Sequence, residues 1–182
     1  MDQLRRGVFL DRDGVLNRAV IRGGKPYPPA TLEEFKVVES APECLTALKD
    51  LGACLVVITN QPDVARGAQS REVVEQMNQV LRKALPLDDV LVCWHDDKDD
   101  CNCRKPSPGL LLQAAETHKL SLPDSFLIGD RWKDIDAGHA AGCRAVLIDY
   151  HYNERDPSLA PDARVGSLQE ATDWIVRAIQ AS

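Results

Sequence analysis

Short apolar runs that alternate with helical patterns predict an α/β fold, a parallel sheet covered by helices on both faces. Three observations carry this expectation. The runs at residues 8–10, 54–59, 90–94, 126–129 and 145–148 have strand length and lack the polar alternation of a half-exposed strand. The stretches between them keep a helical period. Polar residues capable of chemistry stand directly after several runs, where open parallel sheets place their ligands.

Each element follows in chain order. Val8-Phe9-Leu10 is a buried strand closed by the turn Asp11-Arg12-Asp13-Gly14. Ser40-Ala41-Pro42-Glu43 reads as a capping box with an early proline, opening a helix with Leu45, Leu48 and Leu51 and a stop at Gly52. After Ser70, the residues Val73, Val74, Met77, Val80, Leu81 and Leu85 mark the buried stripe of a second helix. Ser107-Pro108 opens a third, carrying Leu110, Leu111, Ala114 and Ala115, and residues 133–141 form a fourth. Ser167 to Glu170 repeats the capping-box pattern ahead of Leu168, Ala171, Ile175 and Ile179. Residues 18–32, 96–104 and 150–165 read as irregular. None is long enough for a separate cap domain, so residues 1–182 are expected to form a single domain.

Composition narrows the function classes. Of the 182 residues, 44% are hydrophobic and 27% charged, which suits an ordinary globular protein with a full core. A net charge of −6 argues against nonspecific binding to nucleic acid or to anionic membranes. The start, Met1 to Arg6, runs into the first strand without a signal-peptide core, and no apolar stretch approaches a membrane span. The expectation is a cytoplasmic monomer whose partner is a small metabolite. In that compartment six cysteines are thiols or metal ligands rather than disulfides. Cys44, Cys54 and Cys143 sit in apolar segments as core thiols, and His118, His139 and His151 lack ligand spacing.

The polar signals form one chemical inventory. Asp11 and Asp13 follow the first strand, and two carboxylates so close need a cation or a shared proton. Thr59-Asn60-Gln61 follows the second strand. Arg104 and Lys105 precede a helix start, a place already favourable to anions. Asp130 follows the fourth strand, with Asp134 one helical turn later. Each has a plainer reading: an Asp-Gly turn, an Asx-type turn, a solvated lysine, a polar helix start. Together, in this order, they are the equipment for handling a phosphoryl group with a divalent metal. Separately, Cys93-x-His95 and Cys101-x-Cys103 lie five residues apart. Four soft or borderline ligands in so short a span fit a closed tetrahedral Zn²⁺ site, although the gaps are tighter than in common zinc fingers and chance loop thiols remain the alternative.

Here the residues resemble a family. Asp11-x-Asp13-Gly14, Thr59-Asn60, Lys105 and Gly129-Asp130-x-x-x-Asp134 are similar to the four motifs of the haloacid dehalogenase superfamily of phosphohydrolases. Residues 9–17, Thr59-Asn60-Gln61, Ala65-Arg66-Gly67 and Cys103-Arg104-Lys105-Pro106 resemble the branch of heptose-bisphosphate and histidinol-phosphate phosphatases. The resemblance implies a Rossmann-like sheet of the haloacid dehalogenase type, without a cap and with a small zinc loop. It implies Asp11 as nucleophile, Asp13 as acid and then base, Thr59 and Lys105 as stabilisers of the phosphoryl oxygens, and Asp134 as their support. Mg²⁺ would be held by Asp11, the main-chain carbonyl of Asp13, and Asp130. A structural Zn²⁺ would be held by Cys93, His95, Cys101 and Cys103. Asn17, Arg18, Asn60, Gln61, Arg66, Arg104 and Arg131 are the expected substrate contacts. Heptose 1,7-bisphosphate leads as substrate and histidinol phosphate follows. Pro62-Asp63, Arg131 and the short spacer of the zinc loop depart from the commonest pattern of the branch and bear on the sugar, not on the chemistry. Two rivals from other classes are a phospho-accepting signalling domain and an idle zinc module. The alternate spacing of the acids on the first strand disfavours the former, and the complete set of acids with Lys105 disfavours the latter.

Overall fold

The computed structural model describes residues 4–181; Met1 to Gln3, where the leader-free start was expected, and Ser182 lie outside the described residues. Six parallel strands form the central sheet: β1 (Arg5–Leu10), β4 (Cys54–Asn60), β5 (Asp89–Cys93), β6 (Leu120–Gly129), β7 (Arg144–Ile148) and β8 (Ala163–Val165). Their order is β5-β4-β1-β6-β7-β8. The chain therefore leaves β1 in one direction and returns to its other side at β6. That reversal is the topological switch point of a doubly wound sheet, and the ligand crevice belongs at the strand ends beside it.

The strands bury both faces because their side chains alternate between two cores. Val8, Leu10, Leu55, Val57, Phe126 and Ile128 face one core, completed by α1 (Ala41–Asp50), α3 (Arg71–Ala84) and α6 (Leu168–Gln180). Phe9, Val56, Ile58 and Leu127 face the other, completed by α4 (Gly109–His118) and α5 (Trp132–Ala141). The remaining helix, α2 (Pro62–Ala65), is a single turn after β4.

Several local expectations are corrected. A short hairpin, β2 (Val20–Arg22) with β3 (Lys25–Tyr27), occupies part of the segment read as irregular, and β8 occupies part of another. Three-residue strands carry no apolar run, so periodicity is blind to them. Ser40 caps α1 without a side-chain hydrogen bond, its backbone already being helical. The Ser167 hydroxyl does accept from the Glu170 N–H at 3.2 Å, but the Glu170 carboxylate reaches back to the N–H of Gly166 rather than of Ser167. Val80, assigned to the buried stripe of α3, is 40% exposed.

Candidate active site

The site is built at the carboxyl ends of β1, β4 and β6. Asp11 continues β1, its N–H donating to the Ile128 carbonyl of β6 at 2.9 Å. Lys105 arrives from the loop before α4, and Asn60 at the end of β4 holds it there. The Lys105 N–H donates to the Asn60 side-chain oxygen at 3.1 Å, and the Asn60 amide donates to the Lys105 carbonyl at 3.0 Å. The ammonium then sits buried between three oxygens: Asp11 at 2.7 Å, Asp134 at 2.6 Å and the Ile58 carbonyl at 2.8 Å. Asp134 serves two ends, because its other oxygen accepts the Arg131 N–H and caps α5. Flanked by two carboxylates, Lys105 is held charged, its pKa above the ordinary lysine range despite burial.

Asp130 completes the floor from the end of β6. It is buried, and neither of its oxygens has a hydrogen-bond partner. Gly14 makes room for it: a Cβ there would lie 1.9 Å from an Asp130 oxygen, and its φ of +92° already favours glycine. Burial, and then the charges of Asp11 and Asp134, push the Asp130 carboxyl well above the usual carboxylate range. Burial and Asp134 likewise raise Asp11 to about 6 against the pull of Lys105. Oxygens of Asp11, Asp130 and Asp134 lie within 4.8 Å of one another. Three ionised carboxylates against one ammonium leave two negative charges, so the orphaned Asp130 oxygens and this charge balance fit a hard divalent cation.

Asp13 sits apart from that cluster, inside a cage of donors. Arg12 donates to both its oxygens, at 3.1 and 3.0 Å from Nη2. The Asn17 amide donates at 3.0 Å and the Gln61 amide at 2.8 Å. Asp13 nonetheless lines the cavity above the floor.

A second cluster lies on the segment that leads to Arg104 and Lys105, two residues of the cavity lining. Cys93 ends β5, and Cys103 lies 3.1 Å from Cys93, 3.4 Å from Cys101 and 3.2 Å from His95 Nδ1, sulfur or nitrogen to sulfur. All four ligand atoms lie within 4.8 Å of one another, a donor set and spacing that fit tetrahedral zinc. Burial and the neighbouring thiols push the Cys93 thiol up, so the sulfurs do not ionise together without a cation. The loop packs tightly on α4: Gly109 donates its N–H to the Asn102 carbonyl, and a Cβ on it would lie 2.2 Å from that oxygen.

Above the floor lies a cavity of about 580 Å³. Lys25, Arg66, Arg104, Arg131, Lys133 and Arg155 line it, with Asp63, Asp97 and Glu154 between them. With this geometry the chain can be compared with known proteins. A family model described as "HAD-hyrolase-like" matches residues 102–171. A D-glycero-beta-D-manno-heptose-1,7-bisphosphate 7-phosphatase of Helicobacter pylori is 34% identical over 178 residues, covering 93% of this chain and 97% of that protein. The chain belongs to the haloacid dehalogenase-like phosphatases. The enzyme of the same description from Escherichia coli is 28% identical, over 94% of this chain and 88% of that one. Among solved structures, a putative HAD-like phosphatase of Mesorhizobium loti superposes with a TM-score of 0.78 at 26% identity, over 98% of this chain and 87% of that one. A D,D-heptose 1.7-bisphosphate phosphatase from B. bronchiseptica, complexed with magnesium and phosphate, gives 0.76 at 21% identity, over 95% and 99% of the two chains, and shares the fold.

Apart from Asp130, which is buried outside the cavity lining, and the four Cys and His residues described above, the expected site residues of this phosphatase divide into three groups. Asp11, Asp13, Lys105, Asn60, Arg66, Arg104, Arg131 and Asp134 all line the cavity. Asn17, Thr59 and Gln61 are buried behind it: Asn17 and Gln61 spend their amides on Asp13, and the Thr59 hydroxyl accepts from Gln61 at 3.0 Å. Asn17 and Gln61 thus hold Asp13 instead of meeting the substrate. Arg18 points out of the cavity to Glu39 at 3.3 Å, because the chain turns outward there into the hairpin. Lys25 and Pro26, expected at the substrate rim from the stretch Gly23-Gly24-Lys25-Pro26, line the cavity, whereas the sequence reading missed Arg12 and Asn78, both buried, and the lining residues Trp132, Lys133 and Arg155. Asn78 had a legible signal. It stands four residues after Val74 on the buried stripe of α3, where a polar side chain needs a partner. The lining residues had none, since distant loops bring them together.

Proposed function

We propose that this chain is a Mg²⁺-dependent D-glycero-D-manno-heptose 1,7-bisphosphate 7-phosphatase that works through an aspartyl-phosphate on Asp11. One observation carries the chemistry: Asp11 is fixed by Lys105 beside the unpartnered Asp130 carboxylate, on the floor of a cavity rimmed by cations. An Asp11 oxygen attacks phosphorus as the bond to the leaving sugar oxygen breaks, and Asp13 gives that oxygen its proton. Asp13 then takes a proton from the water that hydrolyses the aspartyl-phosphate, which returns Asp11 and releases phosphate. Lys105 offsets the charge on the transferring oxygens, and the Thr59 hydroxyl, buried behind the cavity with its oxygen accepting from Gln61, keeps its own hydrogen to donate toward them. Asp134 and Asn60 keep Lys105 in reach, one by its charge and the other by the backbone. Mg²⁺, held by Asp11, Asp130 and the Asp13 main-chain carbonyl, supplies the positive charge that lets a carboxylate approach a phosphate. Zn²⁺ on Cys93, His95, Cys101 and Cys103 braces the loop that delivers Arg104 and Lys105.

The substrate follows from two supports. The relatives bear the heptose-bisphosphatase description over nearly the full chain. At the rim, Arg104 lines the cavity and donates from Nε to Asp97 at 2.7 Å while its buried Nη1 has no protein acceptor, so the guanidinium retains donor capacity that supports a second anionic group on the substrate. The reading carries with it a single domain over residues 1–182, acting as a monomer in the cytoplasm on a soluble sugar. Phosphate release with Mg²⁺ from sugar bisphosphates, the matching monophosphates and histidinol phosphate tests it. The heptose 1,7-bisphosphate should have the highest kcat/KM, and Arg104→Ala should remove most of its advantage over the monophosphate. A monophosphate or histidinol phosphate as best substrate would make the assignment wrong.

A further inference from the structure

We propose that Arg12 is the positioning residue of Asp13, fixing its carboxylate in the one orientation from which its proton reaches the leaving oxygen. The proposal rests on the reading of Asp13 as acid and base.

Arg12 has no exposed surface, although it stands in a turn at a strand end and carries a charge. Burying a guanidinium costs several kcal/mol before its partners are counted. Its partners are specific. Nη2 reaches both Asp13 oxygens at 3.1 and 3.0 Å, and Nε lies 3.3 Å from the first. Nη1 donates to the Asn78 side-chain oxygen on α3 at 3.1 Å, and the cation lies 5.7 Å from the centre of the Phe35 ring. A neighbour in sequence could pair with Asp13 by chance of proximity, but Asn78 and Phe35 come from distant parts of the chain and fix the guanidinium itself. The group is planar and rigid, so a fork whose far end is anchored holds a carboxylate in its own plane. A short carboxylate at the edge of a cavity otherwise samples several staggered rotamers.

The cage has a second property. Asn17 and Gln61 offer their amide N–H groups, and Arg12 offers only N–H groups. Every side chain that hydrogen-bonds the Asp13 carboxylate does so as a donor. The leaving oxygen that takes the Asp13 proton arrives from the cavity side, which Asp13 lines. In the first step the proton moves to the leaving oxygen as the P–O bond to the sugar breaks and the bond from Asp11 forms. Correct placement of a proton donor is worth orders of magnitude in rate, and misplacement by an ångström forfeits much of it.

A mere structural staple would affect all substrates alike; a positioning role would not. An alkyl leaving oxygen needs the proton as it departs, whereas p-nitrophenolate leaves without it. The experiment compares kcat/KM for a sugar bisphosphate and for p-nitrophenyl phosphate in wild type, Asp13→Asn, Arg12→Met and Asn78→Ala. Asp13→Asn should lower the sugar ester by about 10²–10⁴-fold and the aryl ester far less. Arg12→Met should show the same asymmetry, about 10²-fold on the sugar ester and under about fivefold on the aryl ester, with Asn78→Ala following at roughly tenfold and twofold. Asn78→Ala keeps the Arg12–Asp13 pair and answers the question should Arg12→Met fail to fold. Equal losses on both esters in the Arg12 or Asn78 variants, beside an asymmetric Asp13→Asn, would overturn the proposal and leave the role of Asp13 standing. Equal losses in Asp13→Asn itself would overturn the role of Asp13, and the proposal with it.

Discussion

The floor of the cavity and its rim use the same currency, carboxylates beside cations, to opposite ends. On the floor, Asp11, Lys105 and Asp134 are buried, and each ion is tied to a strand or helix end. At the rim, Arg66 meets Asp63, Asp96 and Asp97, Arg131 meets Glu154, and Arg155 meets Asp136, and all three arginines are more than a third exposed. Buried ions cannot rearrange without exposing an unpaired charge, while surface pairs exchange partners at little cost. The floor therefore fixes one chemistry, and the rim can be rewritten for a different sugar.

The sharpest way to break that contrast is Asp11→Asn. The amide is isosteric and still accepts from Lys105, so the fold should survive, but it cannot attack phosphorus. Turnover should fall to background in a phosphate-release assay while the circular dichroism spectrum stays unchanged. Substantial residual turnover would remove Asp11 from its assigned role and the floor from its privileged place.

The floor was legible in the sequence because Asp11 and Asp130 directly follow apolar strands, while Lys105 precedes a helix start and Asp134 lies one helical turn after Asp130. Asp11 follows Val8-Phe9-Leu10, and Asp130 follows Phe126-Leu127-Ile128-Gly129. The parallel sheet then sets the two on either side of the switch point, through the Leu10 and Ile128 register. The Cys and His cluster was legible from local spacing alone, its four side chains lying within eleven residues, Cys93 to Cys103. The rim was not. Asn153 donates its N–H to the Gly24 carbonyl at 3.3 Å, joining the β2–β3 hairpin to the loop after β7, and no periodicity announces a contact of that range. Arg18 was misplaced by proximity in sequence. Arg12 was passed over because an arginine between two acids reads as solvated until α3 is seen packed above it.

The loop of Cys93, His95, Cys101 and Cys103, proposed to hold zinc, leads into Arg104 and Lys105 and carries the next largest expected effect. Cys101→Ser should lose the metal and loosen the segment leading to Lys105, lowering activity by more than tenfold as the catalytic ammonium loses its register. The sheet keeps its own core, so global unfolding should change little while hydrogen exchange of residues 94–104 rises. Elemental analysis of the wild type checks the premise: one zinc per chain is expected, and a fully active protein without zinc would rule the site out.

Burial of acids on the floor also gives it a pH signature that the rim lacks. In the metal-free protein burial pushes Asp11 up to about 6 and holds Asp130 well above the ordinary value of 3.8. Between those limits the folded state binds more protons than the unfolded one, so stability falls as pH rises from about 4 through 6 and beyond. Mg²⁺ removes the penalty by supplying charge, and its stabilising effect should therefore be larger at pH 7.5 than at pH 5. Thermal unfolding with and without Mg²⁺ at the two pH values measures this, with Asp130→Asn as the comparison in which the difference shrinks. An identical Mg²⁺ effect at both pH values would mean that the acids are already compensated.

The smallest effect expected is at Arg66, and it sharpens the contrast within the rim itself. Arg66 and Arg104 both line the cavity, but they are not equally available. Arg66 already donates to Asp96 at 2.9 Å and to Asp63 at 3.2 Å, and a carboxylate of Asp97 stands at 3.4 Å. An arriving phosphate has to displace these acids before it can use the guanidinium. Arg104 shares only Asp97 and keeps its buried Nη1 unpaired. Arg66→Ala should accordingly raise KM for a sugar bisphosphate by only about two- to fivefold, leave kcat unchanged and move the thermal midpoint by less than about 2 °C, as exposed pairs contribute little. Arg104→Ala should cost more on the bisphosphate and nothing on the monophosphate. Equal losses for the two variants would mean that the acids around Arg66 yield readily to substrate, making the rim one diffuse cationic field in place of a single prepared donor beside a neutralised one.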